Sequence, residues 1–249
     1  MSPDFSEEEI LRYSRNLMLP EVGLDGQARW RAARVAVVGA GGIGSAALYY
    51  LAAAGLGQIS VIDGDAVETS NLQRQILYNM HDLGRRKVES AWETLTALNP
   101  HCRLQLHDTR LDAANIRDIL SENDLVLDAS DNFATRLLVA DCCWRDKIPL
   151  VSAAVGGFQG LLLVMDPAPE NPCYRCLLPQ APPPAAQEGI LGAVAGVMGC
   201  LQALEALKLL LGRKSGLTRQ LLAYDALNCR FRHLKREKRP DCPLCGEGK

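Results

Sequence analysis

Gly39, Gly41 and Gly44, with a fourth glycine at Gly42, follow a short apolar run and precede a helical one. Glycines at this spacing allow a tight turn, keep side chains away from a phosphate that approaches the backbone, and let a helix pack close to a strand. The helix start then offers free N–H groups and a partial positive charge to an anion. Asp63, nineteen residues past Gly44, stands where a carboxylate accepts hydrogen bonds from ribose hydroxyls. These residues define a nucleotide site without choosing between a dinucleotide cofactor and ATP.

Three further features favour ATP. The run SNLQRQ, Ser70 to Gln75, brings Arg74 to neutralise a triphosphate and Asn71 to hydrogen-bond to it. Lys87 opens the next helical stretch. The strand-like DLVLD ends on Asp128, and Ala-Ser-Asp131-Asn132 follows. Strand C-termini of a doubly wound sheet face the ligand crevice, so Asp131 is positioned to hold Mg²⁺ against phosphate oxygens. A second site is spelled by Cys173-x-x-Cys176 and Cys242-x-x-Cys245. Each pair has the spacing for two thiolates on one tetrahedral Zn²⁺, and together they supply four ligands of a closed, structural site. Two redox pairs, or free thiols, are the alternative. The remaining Cys102, Cys142, Cys143, Cys200 and Cys229 read as small buried hydrophobes, and the four histidines lack metal-ligand spacing.

The elements that must carry these residues follow from pattern. Val35 to Val38 and Ile59 to Ile62 are buried strands around a helix from Ser45 to Ala54. Ser6 and Glu9 form a capping box, so a helix begins near Glu7 and carries Arg12 and Arg15. Leu19 to Gln27 holds Pro20, Gly23 and Gly26 and reads as loop, as does Gly64 to Met80. Helices are expected at 85–98, 113–121 and 132–145, with strands at 102–107, 124–128 and 149–154. This alternation implies a mostly parallel sheet covered on both faces. Beyond residue 155, a strand at 158–165 and a hairpin of 221–224 with 229–234 predict an antiparallel extension. The Pro- and Ala-rich stretch 178–189 reads as a mobile loop, and Lys235 to Arg239 (KREKR) as a solvated basic turn.

A chain of 249 residues with 48% hydrophobic but only 5% aromatic content suits an Ala/Val/Leu-rich α/β protein. Net charge −2 and pI near 6.1 argue against a nucleic-acid binder or polybasic membrane surface. The acidic start MSPDFSEEE has no apolar h-region, so no signal peptide is expected. The odd count of nine cysteines then points to the reducing cytoplasm. Ile190 to Leu211 is long enough to raise a membrane span, but Gln202, Glu205 and Lys208 stripe one face, which fits a core or subunit-interface helix.

In this order the motifs resemble the MoeB/ThiF/HesA adenylyltransferases related to ubiquitin-activating enzymes. The resemblance rests on LRYSRN (11–16), GAGGIG (39–44), IDGD (62–65), SNLQRQ (70–75), GRRKVESA (84–91), LDASDN (127–132), PCYRC (172–176), GVMGCLQALEALK (196–208) and DCPLC (241–245). It implies a Rossmann-like, doubly wound α/β fold with an antiparallel C-terminal extension and a zinc-tethered tail. The chain is then one adenylation domain over 1–249, with an N-terminal helical arm (1–33), a nucleotide-binding half (34–155) and a carrier-binding, zinc-tethered half (156–249). The resemblance implies that a small ubiquitin-like sulfur-carrier protein presents its Gly-Gly carboxylate to the α-phosphate of ATP, forming an acyl-adenylate and pyrophosphate in molybdopterin- or thiamine-type sulfur transfer. ATP would lie on Gly39, Gly41, Gly42, Gly44, Asp63, Ser70, Asn71, Leu72, Gln73, Arg74, Lys87, Asp131 and Asn132. Catalysis would fall to Arg74, Lys87, Asp131 with its Mg²⁺, and Arg15 reaching in from the second subunit of a homodimer. Many relatives carry a loop cysteine in a Thr/Ser-Cys-x-Glu-Ala-Gly context. Here the stretch is Ala185-Ala186-Gln187-Glu188-Gly189, so the reaction is expected to stop at the acyl-adenylate, with sulfur delivered by a separate sulfurtransferase or cysteine desulfurase. The alternatives are an NAD(P)-dependent dehydrogenase using the same turn and a non-catalytic scaffold for a β-grasp partner.

Overall fold

The structure is a computed structural model that describes residues 4–182 and 189–246. Helix α1 (Glu7–Leu17) starts with the expected capping box, Ser6 and Glu9 satisfying each other's backbone N–H groups. Helix α2 (Gly23–Ala32) corrects the loop expected at 19–27. Gly23 takes the left-handed conformation (φ +53°) that turns the chain into this helix, and a Cβ on Gly26 would meet Leu211 at 2.8 Å. These glycines serve a turn and a close packing contact rather than a loop.

The sheet follows the expected alternation. Strand β1 (Arg34–Val38) leads through α3 (Gly42–Ala54) to β2 (Gln58–Ile62), and α4 (Lys87–Leu98) leads to β3 (Arg103–His107). Then come α5 (Ile116–Leu120), β4 (Leu125–Asp128), α6 (Phe133–Asp146) and β5 (Leu150–Gly156). Strand β6 (Gln159–Met165) follows directly. The short α7 (Tyr174–Leu177) and long α8 (Gly192–Leu210) precede the hairpin of β7 (Gln220–Asp225) and β8 (Arg230–Lys235). The eight strands form one sheet in the order β3-β2-β1-β4-β5-β6-β7-β8. The first five are parallel, with Val35 opposite both Ile59 and Leu125, and the last three are antiparallel.

Alternation along the strands divides the core in two. Val35, Val37, Leu125 and Leu127 face α3, α4 and α8. Ala36, Val38, Val126 and Leu150 face α5 and α6. Helix α8 has the length and composition of a membrane span, but here it packs along α3, β5 and β6. Its fully buried Gln202 donates from Nε2 to the carbonyls of Asp128 (2.8 Å) and Val151 (2.9 Å). Its Glu205 accepts from Lys208 and Ser215. The polar stripe therefore bonds to the fold's own groups. The expected mobile stretch falls at 183–188 outside the described residues, as do 185–188 of the loop without cysteine.

The contact of α3 with α8 is closest at Gly199, where an added Cβ would overlap the Ile43 carbonyl oxygen and meet the Ala46 Cβ at 2.9 Å. Gly199→Ala is expected to destabilise by about 1–3 kcal/mol through this overpacking. A urea midpoint equal to wild type would refute the tight crossing.

Candidate active site

The site forms where the sheet's winding reverses, at the C-terminal ends of the adjacent β1 and β4, the place where open α/β sheets bind ligands. Gly39 leaves β1 with φ +93°, its N–H donating to the Ile62 carbonyl at 2.8 Å. A Cβ on Gly39 would meet the Ala129 oxygen at 2.9 Å. A Cβ on Gly44 would collide with the Gly39 carbonyl, whose carbon lies 2.9 Å away. Gly41 opens on the cleft: a Cβ added there would meet no other part of the fold closer than Gln75 Nε2 at 3.8 Å. No side chain caps the start of α3, which leaves its first N–H groups for a ligand.

Asp63, at the end of β2, clamps this turn. Its Oδ2 accepts from the Ala40 N–H and its Oδ1 from the Asp65 N–H, both at 2.9 Å. Tyr78 Oη holds the other side of Ala40 by donating to its carbonyl at 2.8 Å. Lys87, buried at the start of α4, sets its ammonium 3.7 Å from Asp63 and 3.1 Å from Asp65. Burial raises the Asp63 carboxyl above its ordinary value, outweighing the Lys87 charge and the two N–H groups. At the more open Asp65 burial also pushes upward, but the bond from Arg110 (3.0 Å) and the Lys87 charge prevail and hold it low.

Beyond the end of β4, a second polar cluster sets the opposite wall. Asp128 is fully buried and accepts from Ser130 Oγ (2.5 Å) and Ser152 Oγ (2.8 Å). Arg136 reaches back from α6, 3.5 Å from the Asp128 carboxylate, and donates to the carbonyls of Ala153 (2.7 Å) and Ser130. Held between these bonds, the following loop presents the exposed Asp131, and Asn132 caps α6 by accepting from the Thr135 N–H at 2.9 Å. The enclosed cleft measures about 530 Å³.

Gly39, Gly41, Gly42, Asp63, Arg74, Lys87, Asp131 and Asn132 all line it. Gly44 lies beneath the turn. Ser70, Asn71, Leu72 and Gln73 do not line the cleft; the Asn71 side chain instead accepts from the Glu68 N–H and reaches the Ser70 hydroxyl. Arg15 is exposed on α1, away from its own chain's cleft. Arg110 and Arg136 were missed, although both line the cleft and both are cations. Arg136 follows the strand-ending Asp128 by two helical turns, a weak signal; Arg110 has none.

Across the sheet from α8, the second site assembles. The four sulfurs of Cys173, Cys176, Cys242 and Cys245 lie within 4.8 Å of one another, with Cys173 3.4 Å from Cys242 and Cys176 3.3 Å from Cys245. Burial works to raise Cys242, yet N–H groups of Cys245 and Leu244 bring it down to about 7. Four thiol donors at this separation fit a tetrahedral divalent ion. Of the other cysteines, Cys102, Cys142 and Cys143 are buried as expected and Cys200 is half-buried. Cys229 corrects the expectation: it is exposed in the β7–β8 turn at φ +50°.

A reversed-order parallel sheet, a glycine turn clamped by a carboxylate and a cation-lined cleft define a nucleotide-binding α/β protein of the Rossmann-like class. Residues 13–244 match the model of the ThiF family, and the chain belongs to that family. It is 44% identical to the SAMP-activating enzyme E1 of Haloferax volcanii over 100% of this chain and 93% of that one. It is 45% identical to the sulfur carrier protein adenylyltransferase of Thermus thermophilus, covering 98% and 93%. The adenylyltransferase and sulfurtransferase MOCS3 of Drosophila grimshawi is 43% identical over 97% of this chain, which spans 55% of that protein. Among solved structures, E. coli MccB superposes with a TM-score of 0.84 at 22% identity over 98% of this chain and 76% of that one, a likeness of fold.

Because Asp63 titrates above its ordinary 3.8 in the folded protein, the folded state holds its proton more tightly than the unfolded chain. That contribution is full at low pH and is lost as pH rises through the folded value. Relative to Asp63→Asn, wild type is therefore expected to lose stability as pH rises above the ordinary carboxyl value of 3.8. Urea unfolding of both proteins at rising pH checks the sign, and a flat difference would remove the burial argument.

Proposed function

We propose that this chain is an ATP-dependent adenylyltransferase that activates the C-terminal Gly-Gly carboxylate of a small ubiquitin-like sulfur-carrier protein. The observation that carries the reading is the convergence of the uncapped α3 start, Arg74, Lys87 and Asp131 on one cleft. The names of relatives at 43–45% identity support it.

A carboxylate oxygen of the carrier attacks the α-phosphorus, the bond to the bridging oxygen breaks, and pyrophosphate leaves with its electron pair. No protein nucleophile is needed. Negative charge grows on phosphate oxygens during the exchange, so fixed N–H groups and cations supply the rate enhancement. The α3 start and Gly41 receive phosphate, and Asp63 faces the ribose. Arg74, whose guanidinium donates to the Ser70 carbonyl at 2.9 Å and to no other group among the described residues, turns to the leaving phosphates. Lys87 joins it by exchanging a carboxylate partner for a phosphate. Mg²⁺, held at the exposed Asp131, would add charge neutralisation. Arg15 enters from the second subunit of a homodimer, which accounts for its exposure far from its own cleft.

The carrier docks on the α8 face of the antiparallel extension, where Phe231, stacked on Tyr224, is 49% exposed. From there a tail without side chains reaches past Val155 and Ile190 into the cleft they line. The four cysteines hold Zn²⁺ as a structural ion. Without a cysteine at 185–189, the enzyme releases the carrier as its acyl-adenylate. A dehydrogenase has no use for Arg74, Lys87 and Asp131 gathered around the turn, and a scaffold has none for the whole set.

Carrier-dependent ATP–pyrophosphate exchange tests the reading. Arg74→Ala and Asp131→Ala are each expected to lower kcat about 10²–10³-fold with unfolding midpoints unchanged. Exchange at wild-type rate in Asp131→Ala would overturn the assignment. Removal of the metal with a strong chelator is expected to lower Tm by several degrees, about 2–4 °C for each kcal/mol lost. A protein that emerges metal-free with the same Tm would sink the structural-zinc part alone.

A further inference from the structure

The basic run at 235–239 is only partly the solvated turn its sequence suggests. Lys235 is exposed, but Arg236 is 6% exposed and enters the interior where β8 ends. One guanidinium nitrogen donates to the Pro172 carbonyl (3.0 Å) and the Thr218 carbonyl (3.2 Å). The Nε and the other Nη are buried with no hydrogen-bond partner among the described residues. Among the described residues no carboxylate lies within ion-pair distance of this side chain. A guanidinium does not shed its proton in a protein, and a buried charge without an opposite charge costs several kcal/mol. Something anionic must answer it.

The geometry names the candidate. Pro172, which accepts from Arg236, immediately precedes Cys173. Three residues after Arg236, the Arg239 N–H donates to Cys176 Sγ at 3.4 Å. Arg236 is thus pinned against the chain that carries one cysteine pair, on the strand that leads to the other. Burial works against its charge and prevails, and the groups placed to support that charge once ionised are the Cys176 and Cys173 sulfurs and the Tyr174 hydroxyl. As free thiols the four cysteines offer little negative charge. On binding a divalent cation they surrender their protons, and four thiolates around one such ion form a net dianion.

We propose that Arg236 is the buried counter-cation of this tetrathiolate centre, a positioning residue whose charge is answered only when the metal is bound. The proposal rests on the reading that the four cysteines take a metal. It gives Arg236 two effects of opposite sign. In the metal-free protein an uncompensated buried cation is a liability; in the metal-loaded protein it offsets the charge the cluster acquires.

Three proteins separate these effects: wild type, Arg236→Met and Arg236→Lys, each purified intact and titrated with Co²⁺ as a spectroscopic stand-in for Zn²⁺. Wild type is expected to show the thiolate-to-cobalt absorption of a four-sulfur site. Its absence defeats the metal reading and the proposal with it. Given that band, Arg236→Met is expected to bind Co²⁺ about 10–100-fold more weakly, the usual effect of removing a group that supports metal ligands. Its metal-free form is expected to be at least as stable to urea as metal-free wild type. Arg236→Lys keeps the charge and is expected to retain most of the affinity. Equal affinity in Arg236→Met and wild type would overturn the proposal while leaving the metal site standing. Equal loss in the Lys and Met variants would also overturn it, because the bonds to Pro172 and Thr218, rather than the charge, would then be what matters. Should Arg236→Met fail to fold, Arg236→Lys decides alone: strong Co²⁺ binding supports the charge, weak binding refutes it.

Discussion

The nucleotide cleft depends on one steric constraint, the approach of the start of α3 to the end of β1. At Gly44 there is no room for a methyl group over the Gly39 carbonyl, and Gly39 itself lies under the backbone of Ala129. Main chain therefore meets main chain at the place where the sheet reverses its winding. That closeness leaves the N–H groups at the start of α3 open to the cleft, which is the condition for cradling a phosphate with backbone alone. It also explains the effort spent in fixing Ala40, held by Asp63 on its N–H and by Tyr78 on its carbonyl. Asp63 both braces the turn and lines the cleft, and Lys87 stands between this buried carboxyl and the half-exposed Asp65.

Much of this was legible in the sequence because the chemistry sits at the ends of strands that announce themselves. Buried apolar runs at 35–38, 59–62 and 124–128 give parallel strands, and Gly39, Asp63 and Asp131 follow their respective ends within a few residues. Lys87 is marked by its place at the start of a helix. The errors came from judging punctuation locally. Gly23 and Gly26 suggested a loop, yet they are used to enter α2 and to seat it against Leu211, nearly two hundred residues away. No local pattern announces such a contact.

Buried polar residues were the other blind spot. A lone arginine on a helix is a solvated residue in most proteins, so Arg136 drew no notice although it ties Asp128, Ser130 and Ala153 into one wall of the cleft. Gln202 was seen only as part of a stripe, while its two bonds to β4 and β5 carbonyls fasten α8 to the strands that bear the site. In both cases the partner is a backbone carbonyl or an acid far along the chain. Such pairings exist only once the sheet order is fixed.

The cysteine cluster answers a different weakness of the fold. All six residues of β8 are exposed, and the strand has a paired neighbour on one side only. A terminal edge strand of this kind buries too little to hold itself in register. The sulfurs of Cys173 and Cys242 are 69 residues apart in sequence and 3.4 Å apart in space. In the chain-entropy picture a cross-link closing a loop of that length disfavours the unfolded chain by about 4 kcal/mol. The enclosed loop contains α8, β7 and β8, while Arg175 beside the cluster binds Asp141 of α6 through two bonds of 2.9 and 2.8 Å. The metal-ready cluster thus ties the antiparallel extension to α6, the helix that also carries Arg136. The extension and the Arg136 wall of the cleft are thereby joined through α6, a linkage that the proposed reaction between a docked tail and a bound nucleotide would use.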